Sequence, residues 1–270
     1  MCERGPGPQP LGQPEWSPIP SSVPAPHPTP HGVGAQACHH HPGPCRAGAL
    51  GCGRRPLRRK QPMTDLAQDP SRAIELCRAA EERLAATVAE LGDDDLRVPS
   101  RLPDWSVGHV LTHLASNADG HARRVEGALR GEGLGKYAGG AQQPLDEIEG
   151  GAHRPAVEVL AGLRASQSRL LELFETADAA GWPHGELLGG EAYPVTACPA
   201  HRLREVEMHH VDLGLSYAVA DWPQDYVDWD LRVLLATLPD RLGAPDQRSL
   251  MAWVAGRGVV DPGWSVGAWG

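Results

Sequence analysis

The chain has 270 residues, a formal net charge of -9 and a pI near 5.8. An acidic chain with no basic face argues against nucleic acid as a partner. No apolar run approaches the ~18 residues that a transmembrane helix needs, so no membrane partner is expected either.

Residues 1–62 are crowded with Pro, Gly and His and show neither helical nor alternating periodicity. Such a segment cannot bury enough apolar surface to offset its ordering entropy, so a disordered tail or an over-long gene start is expected. It lacks the apolar stretch of a secretory signal. The basic cluster Arg54-Arg55-Pro56-Leu57-Arg58-Arg59-Lys60 reads as solvated, and Met63 reads as the natural start. Cys2, Cys38, Cys45 and Cys52, with His39, His40 and His41, contain no C-x2-C pair and fit no zinc template. Cys77 and Cys198 read as unpaired thiols, which fits a reducing cytoplasm.

The first helix is expected over 71–91, where Ile74, Cys77, Leu84, Val88 and Leu91 recur at helical spacing between Asp69-Pro70 and Gly92. A link from Asp93 to Leu102 leads to a second helix over 105–129, with Val107, Val110, Leu111, Leu114, Ala118 and Val125 as its stripe. Residues 131–153 are Gly- and Gln-rich and read as a long crossover. A third helix follows Pro155 to about Ala180, carrying Val159, Leu163, Leu170, Leu173 and Phe174. A second long connection, Gly181 to Cys198, precedes a fourth helix from Pro199 to about Val219. A fifth helix spans about Tyr226 to Leu242, and the segment Ser249–Trp253 suits either helix or strand. Four long helices with long links predict an all-α four-helix bundle with crossovers over 63–222, followed by an abbreviated α or α/β segment over 223–270.

Bundle interiors are where facing helices build metal sites. On the fourth helix Glu205 and His209 are four apart, hence one turn apart on one face. His113, between Leu111 and Leu114, leans toward the buried stripe of the second helix. Three N/O ligands with a fourth position open form the pattern of a catalytic zinc-like site. Asp212, three residues past His209, is placed to accept the second ring N–H of that ligand and set its tautomer. His109 forms a competing i, i+4 pair with His113, while Asn117 and His121 extend the same strip. His210 and Glu207 point away from the Glu205/His209 strip, and His153, His184 and His201 lie in or near loops.

The segments Pro103-Asp104-Trp105-Ser106-Val107-Gly108-His109-Val110-Leu111-Thr112-His113-Leu114 and Arg204-Glu205-Val206-Glu207-Met208-His209-His210-Val211-Asp212-Leu213 resemble the mycothiol-dependent maleylpyruvate isomerase family, within the DinB-like metal-dependent bundle superfamily. The stretch Leu250-Met251-Ala252-Trp253-Val254-Ala255-Gly256-Arg257 is similar to a C-terminal Trp-Leu-x-Gly-Arg segment of that family. The resemblance implies a divalent metal, Zn2+ first, on His113, Glu205 and His209. It also implies mycothiol as a thiol cosubstrate, and cis–trans isomerisation by thiolate addition, rotation and elimination. It implies a small-molecule electrophile as the other partner, and it makes Arg257 the candidate for a substrate carboxylate. The family's C-terminal α/β domain is abbreviated here to residues 223–270, which leaves a related thiol S-transferase as an equal expectation. A non-catalytic metal-binding module and a metal-dependent hydrolase are the alternatives, and a homodimer is left open.

Overall fold

The structure, a computed structural model, describes residues 65–140, 142–183 and 193–258. The expected N-terminal tail, its Cys and His residues, and His184 lie outside the described residues. Eight α-helices are described: α1 Pro70–Val88, α2 Asp93–Leu96, α3 Val107–Leu129, α4 Gln142–Gly151, α5 Ala156–Ala179, α6 Cys198–Asp212, α7 Gln224–Thr237 and α8 Ala244–Val254. Among the described residues there is no strand beyond an isolated bridge between Pro99 and Ser106. None of these helices is long and apolar enough to cross a membrane.

The long helices begin where their caps dictate. Asp69 accepts from Arg72 N–H at 3.1 Å, and Pro70 opens α1 with a fixed φ and no donor to lose. At α5, Asp93 of the short helix α2 accepts from Ala156 N–H at 2.6 Å, so one connection caps the next helix. Four helices form the bundle: α3 lies against α5 and α6, and α1 closes the ring against the same two. The stripes meet inside. Ile74, Cys77, Leu84 and Val88 of α1, Val110, Leu111, Leu114 and Val125 of α3, Leu163, Leu170 and Phe174 of α5, and Leu203 and Val206 of α6 are all buried in one core. Burial pushes the Cys77 thiol far up, which keeps it an inert core residue.

Three elements differ from the sequence expectation. The crossover 131–153 contains α4, which buries only Pro144, Ile148 and Gly151, too few positions to leave a readable stripe. The helix α6 stops at Asp212, not near Val219, because Gly214 takes φ +73 and its N–H bonds back to Val211 O at 3.1 Å. Glycine adopts that left-handed ending without steric cost. The C-terminal segment is helical through α7 and α8, which answers the helix-or-strand question at Ser249–Trp253.

One glycine fixes how α3 enters the bundle. A Cβ on Gly108 would lie 2.4 Å from Ala152 O and 3.2 Å from Leu96 O, both backbone atoms that cannot swing aside. Gly108→Ala is therefore expected to lower stability by about 1–3 kcal/mol, overpacking outweighing the ~1 kcal/mol that alanine adds to helix propensity. The midpoint of urea unfolding reads this, and an unchanged or raised midpoint would refute the close approach.

Candidate metal centre

The site is built where the start of α3 faces the middle and end of α6. Ser106 caps α3, and its backbone N–H donates to His109 Nδ1 at 3.1 Å, which closes the first turn. The loop ahead of it is tied down twice. Val107 N–H donates to Val98 O at 2.9 Å, and Arg101 N–H donates to Asp212 O at 2.8 Å. The second bond joins this loop directly to the end of α6. Trp105 is thereby held against His113, ring centroids 5.6 Å apart.

On this frame His113, Glu205 and His209 come together. Glu205 Oε2 is 3.1 Å from His113 Nε2 and 3.4 Å from His209 Nε2, and the two imidazoles meet edge to face at 4.6 Å. The three ligand atoms all lie within 4.8 Å of one another, and all three residues are half-buried. Tetrahedral coordination with bonds of about 2.0–2.1 Å separates ligand atoms by about 3.3–3.4 Å, close to the two distances from Glu205 Oε2, so the donor set suits a small divalent cation. Asp212 Oδ2 lies 2.9 Å from His209 Nδ1. A carboxylate there keeps the proton on Nδ1 and turns Nε2 toward Glu205.

The electrostatics agree with a cation-seeking site. Burial opposes the charge on Glu205, but hydrogen bonds from His113 and His209 outweigh it and hold the carboxyl well below its usual range. Burial likewise works against a charged His209, yet Asp212 and then Glu205 raise it to about 9. His113 is lowered, chiefly by burial. With Asp212 on Nδ1, a second proton on His209 and a metal ion compete for Nε2, the nitrogen that faces Glu205.

The remaining candidates fall elsewhere. His210 bonds Thr87 Oγ1 at 2.8 Å on the α1 side and stacks on Tyr217, and burial lowers it to about 4. Glu207 is buried, held by Arg83 and by Tyr217 O–H. Asn117 accepts from Arg202 Nη1 at 2.9 Å. His109, Glu149 and His153 form a second group of donors. There His109 Nδ1 already accepts a backbone N–H, so its neutral ring carries the proton on Nε2 and offers no lone pair to a cation. Arg257 is exposed just beyond α8, where Nη1 donates to Ala255 O at 3.1 Å, and it is not among the residues gathered at the triad. The helix α8 ahead of it has no buried residue.

Sequence reasoning passed over two sets of residues beside the triad. Arg202, Glu81 and Gln167 form a buried polar cluster behind it. Lys136 and Tyr137 lie in what read as a featureless crossover, yet the Glu205 charge acts on the Tyr137 phenol. The legible signal was Gly120 in mid-helix, which admits this segment against α3. A groove of about 640 Å³ between α3, α4 and α5 is bordered by Lys136 and Tyr137, while none of the triad residues lines it.

The family model described as the mycothiol maleylpyruvate isomerase N-terminal domain matches residues 77–214, slightly more than half of the chain. Among solved structures, the crystal structure of the mycothiol-dependent maleylpyruvate isomerase superposes with a TM-score of 0.59 at 19% identity, covering 71% of this chain and 92% of that one. A histidine-to-alanine mutant of the isomerase superposes equally well, with a TM-score of 0.59 at 18% identity over the same shares. No curated protein matches the chain. At such identities the superpositions establish the fold, and the family model establishes the lineage. With its all-α bundle and the matched span enclosing both helices of the triad, the chain belongs to the mycothiol maleylpyruvate isomerase N-terminal domain family.

Proposed function

We propose that this protein is a cytoplasmic, metal-dependent enzyme that uses a low-molecular-weight thiol, with mycothiol as the cosubstrate. Its reaction is either maleylpyruvate-type cis–trans isomerisation or transfer of the thiol to a related electrophile. The observation that carries the reading is the convergence of three N/O donor atoms from α3 and α6, all half-buried, with a carboxylate behind one of them. His113, Glu205 and His209 would hold the ion, Zn2+ being the cation such a set favours. When bound, the cation supplies the Lewis acidity that keeps a thiol ionised at neutral pH.

The chain's own residues do the rest. Asp212 holds His209 in the tautomer that presents Nε2. Trp105 packs against the His113 ring. Isomerisation needs no oxidant: the thiolate sulfur adds to one carbon of the conjugated double bond, whose electrons move onto the neighbouring carbonyl. The carbon–carbon bond then rotates, and the electrons return as sulfur leaves. With transfer, protonation of that carbanion in place of elimination leaves a thioether.

Zinc-loaded protein incubated with mycothiol and maleylpyruvate, or with mycothiol and monochlorobimane, should form product at a rate that chelation abolishes. No metal-dependent product with either electrophile would favour a non-catalytic metal-binding module. Asp212→Asn should keep the fold but weaken zinc binding by about 10–100-fold, as loss of such outer partners does. Competition against a chromophoric chelator measures it, and an unchanged affinity would remove Asp212 from the site.

A further inference from the structure

Beside the triad stands a second cluster that the metal centre leaves unused: His109, Glu149 and His153. It begins one turn back along α3, ~5.4 Å from His113 along the helix axis. Trp105 joins the two sites. Its ring lies 5.6 Å from that of His113 and 6.2 Å from that of His109, the latter stacked with planes 27° apart. His153 then meets His109 edge to face at 5.3 Å. One continuous aromatic row therefore runs from a member of the triad to the residues that follow α4.

The row exists because of a close backbone approach. Gly108 has no side chain to hold the Ala152 carbonyl away from α3, so the chain after α4 lies on the first turn of that helix. His153, the next residue, is thereby set against His109. Glu149 reaches the same place from the last turn of α4, with Oε2 3.6 Å from His109 Nε2 and Oε1 3.8 Å from His153 Nε2. Both separations exceed hydrogen-bond length, so these polar groups are not spent on one another. Glu149 and His153 are exposed, and among the described residues no hydrogen bond holds either side chain. His109 is fixed by contrast. Ser106 N–H donates to its Nδ1, which leaves Nε2 as the donor on the Glu149 side.

The chemistry of the cluster selects its ligand. With His109 Nδ1 occupied, a cation would find one imidazole and one carboxylate, too few to hold it. An anion would meet the Glu149 charge with no fixed cation among these four residues. A neutral polyol meets neither objection. Indole and imidazole rings offer apolar faces to the C–H faces of a sugar and polar edges to its hydroxyls. A carboxylate accepts from two hydroxyls at once.

Resting on the thiol-enzyme reading above, we propose that Trp105, His109, Glu149 and His153 form the subsite for the sugar portion of the thiol cosubstrate. With the sulfur at the triad, the sugar lies along the aromatic row. The site thereby prefers a sugar-bearing thiol over a plain one, since only the former fills both ends.

The test compares zinc-loaded wild type with the double variant Glu149→Ala/His153→Ala, using mycothiol and N-acetylcysteine as thiols and monochlorobimane as the electrophile. The ratio of kcat/KM for mycothiol over that for N-acetylcysteine should fall at least tenfold in the variant, mainly through the KM of mycothiol, with bound zinc equal to that of wild type. A constant ratio, or a fall that follows lost zinc, overturns the subsite. Should no thiol react, calorimetry reads the binding of S-methylmycothiol, whose blocked sulfur needs no metal, to the full-length zinc-free chain. Binding that weakens tenfold or more in the double variant keeps the subsite while the thiol-enzyme reading fails. Equal binding in both, or none in either, overturns it.

Discussion

Arg202→Met is expected to destabilise the protein by about 3–5 kcal/mol, the cost of leaving one member of a buried ion pair without its partner. Arg202 is fully buried on α6 and Glu81 is nearly so on α1. Arg202 Nε donates to Glu81 Oε1 at 2.8 Å, and Nη1 donates to Leu114 O and Asn117 Oδ1 of α3, each at 2.9 Å. The other Glu81 oxygen accepts from Gln167 of α5. One cluster therefore ties all four bundle helices together, next in sequence to His113 through Leu114 and three residues before Glu205. Removing the arginine strands the Glu81 carboxylate and frees the α3 carbonyl.

The paired change Glu81→Leu with Arg202→Met separates two roles. Exchanging a whole buried pair for apolar groups is often neutral or stabilising, so the double variant should recover most of the lost stability. If the cluster also sets the relative register of α3 and α6, its zinc affinity should stay low even so, because His113 and Glu205 depend on that register. Urea unfolding and chelator competition give both numbers. A single variant within about 1 kcal/mol of wild type would mean that water, not Arg202, satisfies Glu81.

How much of this was readable from residues alone varies with the physics involved. The long helices were legible because Ile74, Leu84, Leu111, Leu114, Leu163 and Phe174 recur at a helical period and all end in the core. The four-residue spacing of Glu205 and His209, with Asp212 three further on, was legible for the same reason: one helix fixes it. The arrival of His113 at the same point is a tertiary fact: the sequence offered its lean toward the buried stripe of its helix, and the family resemblance implied the same ligand. Charges buried within a helix defeat periodicity altogether. Arg202, Arg204 and Glu207 are buried on α6, and nothing in their spacing separates them from solvated charge. Lys136 and Tyr137 were hidden differently. They belong to an irregular segment placed by the space at Gly120, and a mid-helix glycine signals a close approach without saying what approaches. Arg257 stands apart, since a short tail motif carried its role and the helix before it, α8, has no buried residue.

Saturating zinc should raise the melting temperature of the wild-type protein by on the order of 10 °C, and should not move that of Glu205→Ala. A ligand that binds only the folded state stabilises by RT ln(1 + [L]/Kd), about 4 kcal/mol when the free ion is at 1,000 times Kd. For a folded unit of this size each kcal/mol is worth about 2–4 °C. The variant loses the shared donor, since Glu205 Oε2 is the atom that faces both His113 Nε2 and His209 Nε2. Without it two imidazoles remain, one of them lowered by burial, and two neutral donors hold a divalent ion far more weakly than three with a charge among them. His109→Gln is the control. It removes a histidine from the exposed second group while leaving the triad intact, so its zinc-induced shift should equal that of wild type. A shift that survives in Glu205→Ala but disappears in His109→Gln would move the metal centre to the His109, Glu149 and His153 group, and the thiol reading of the α3/α6 seam would go with it.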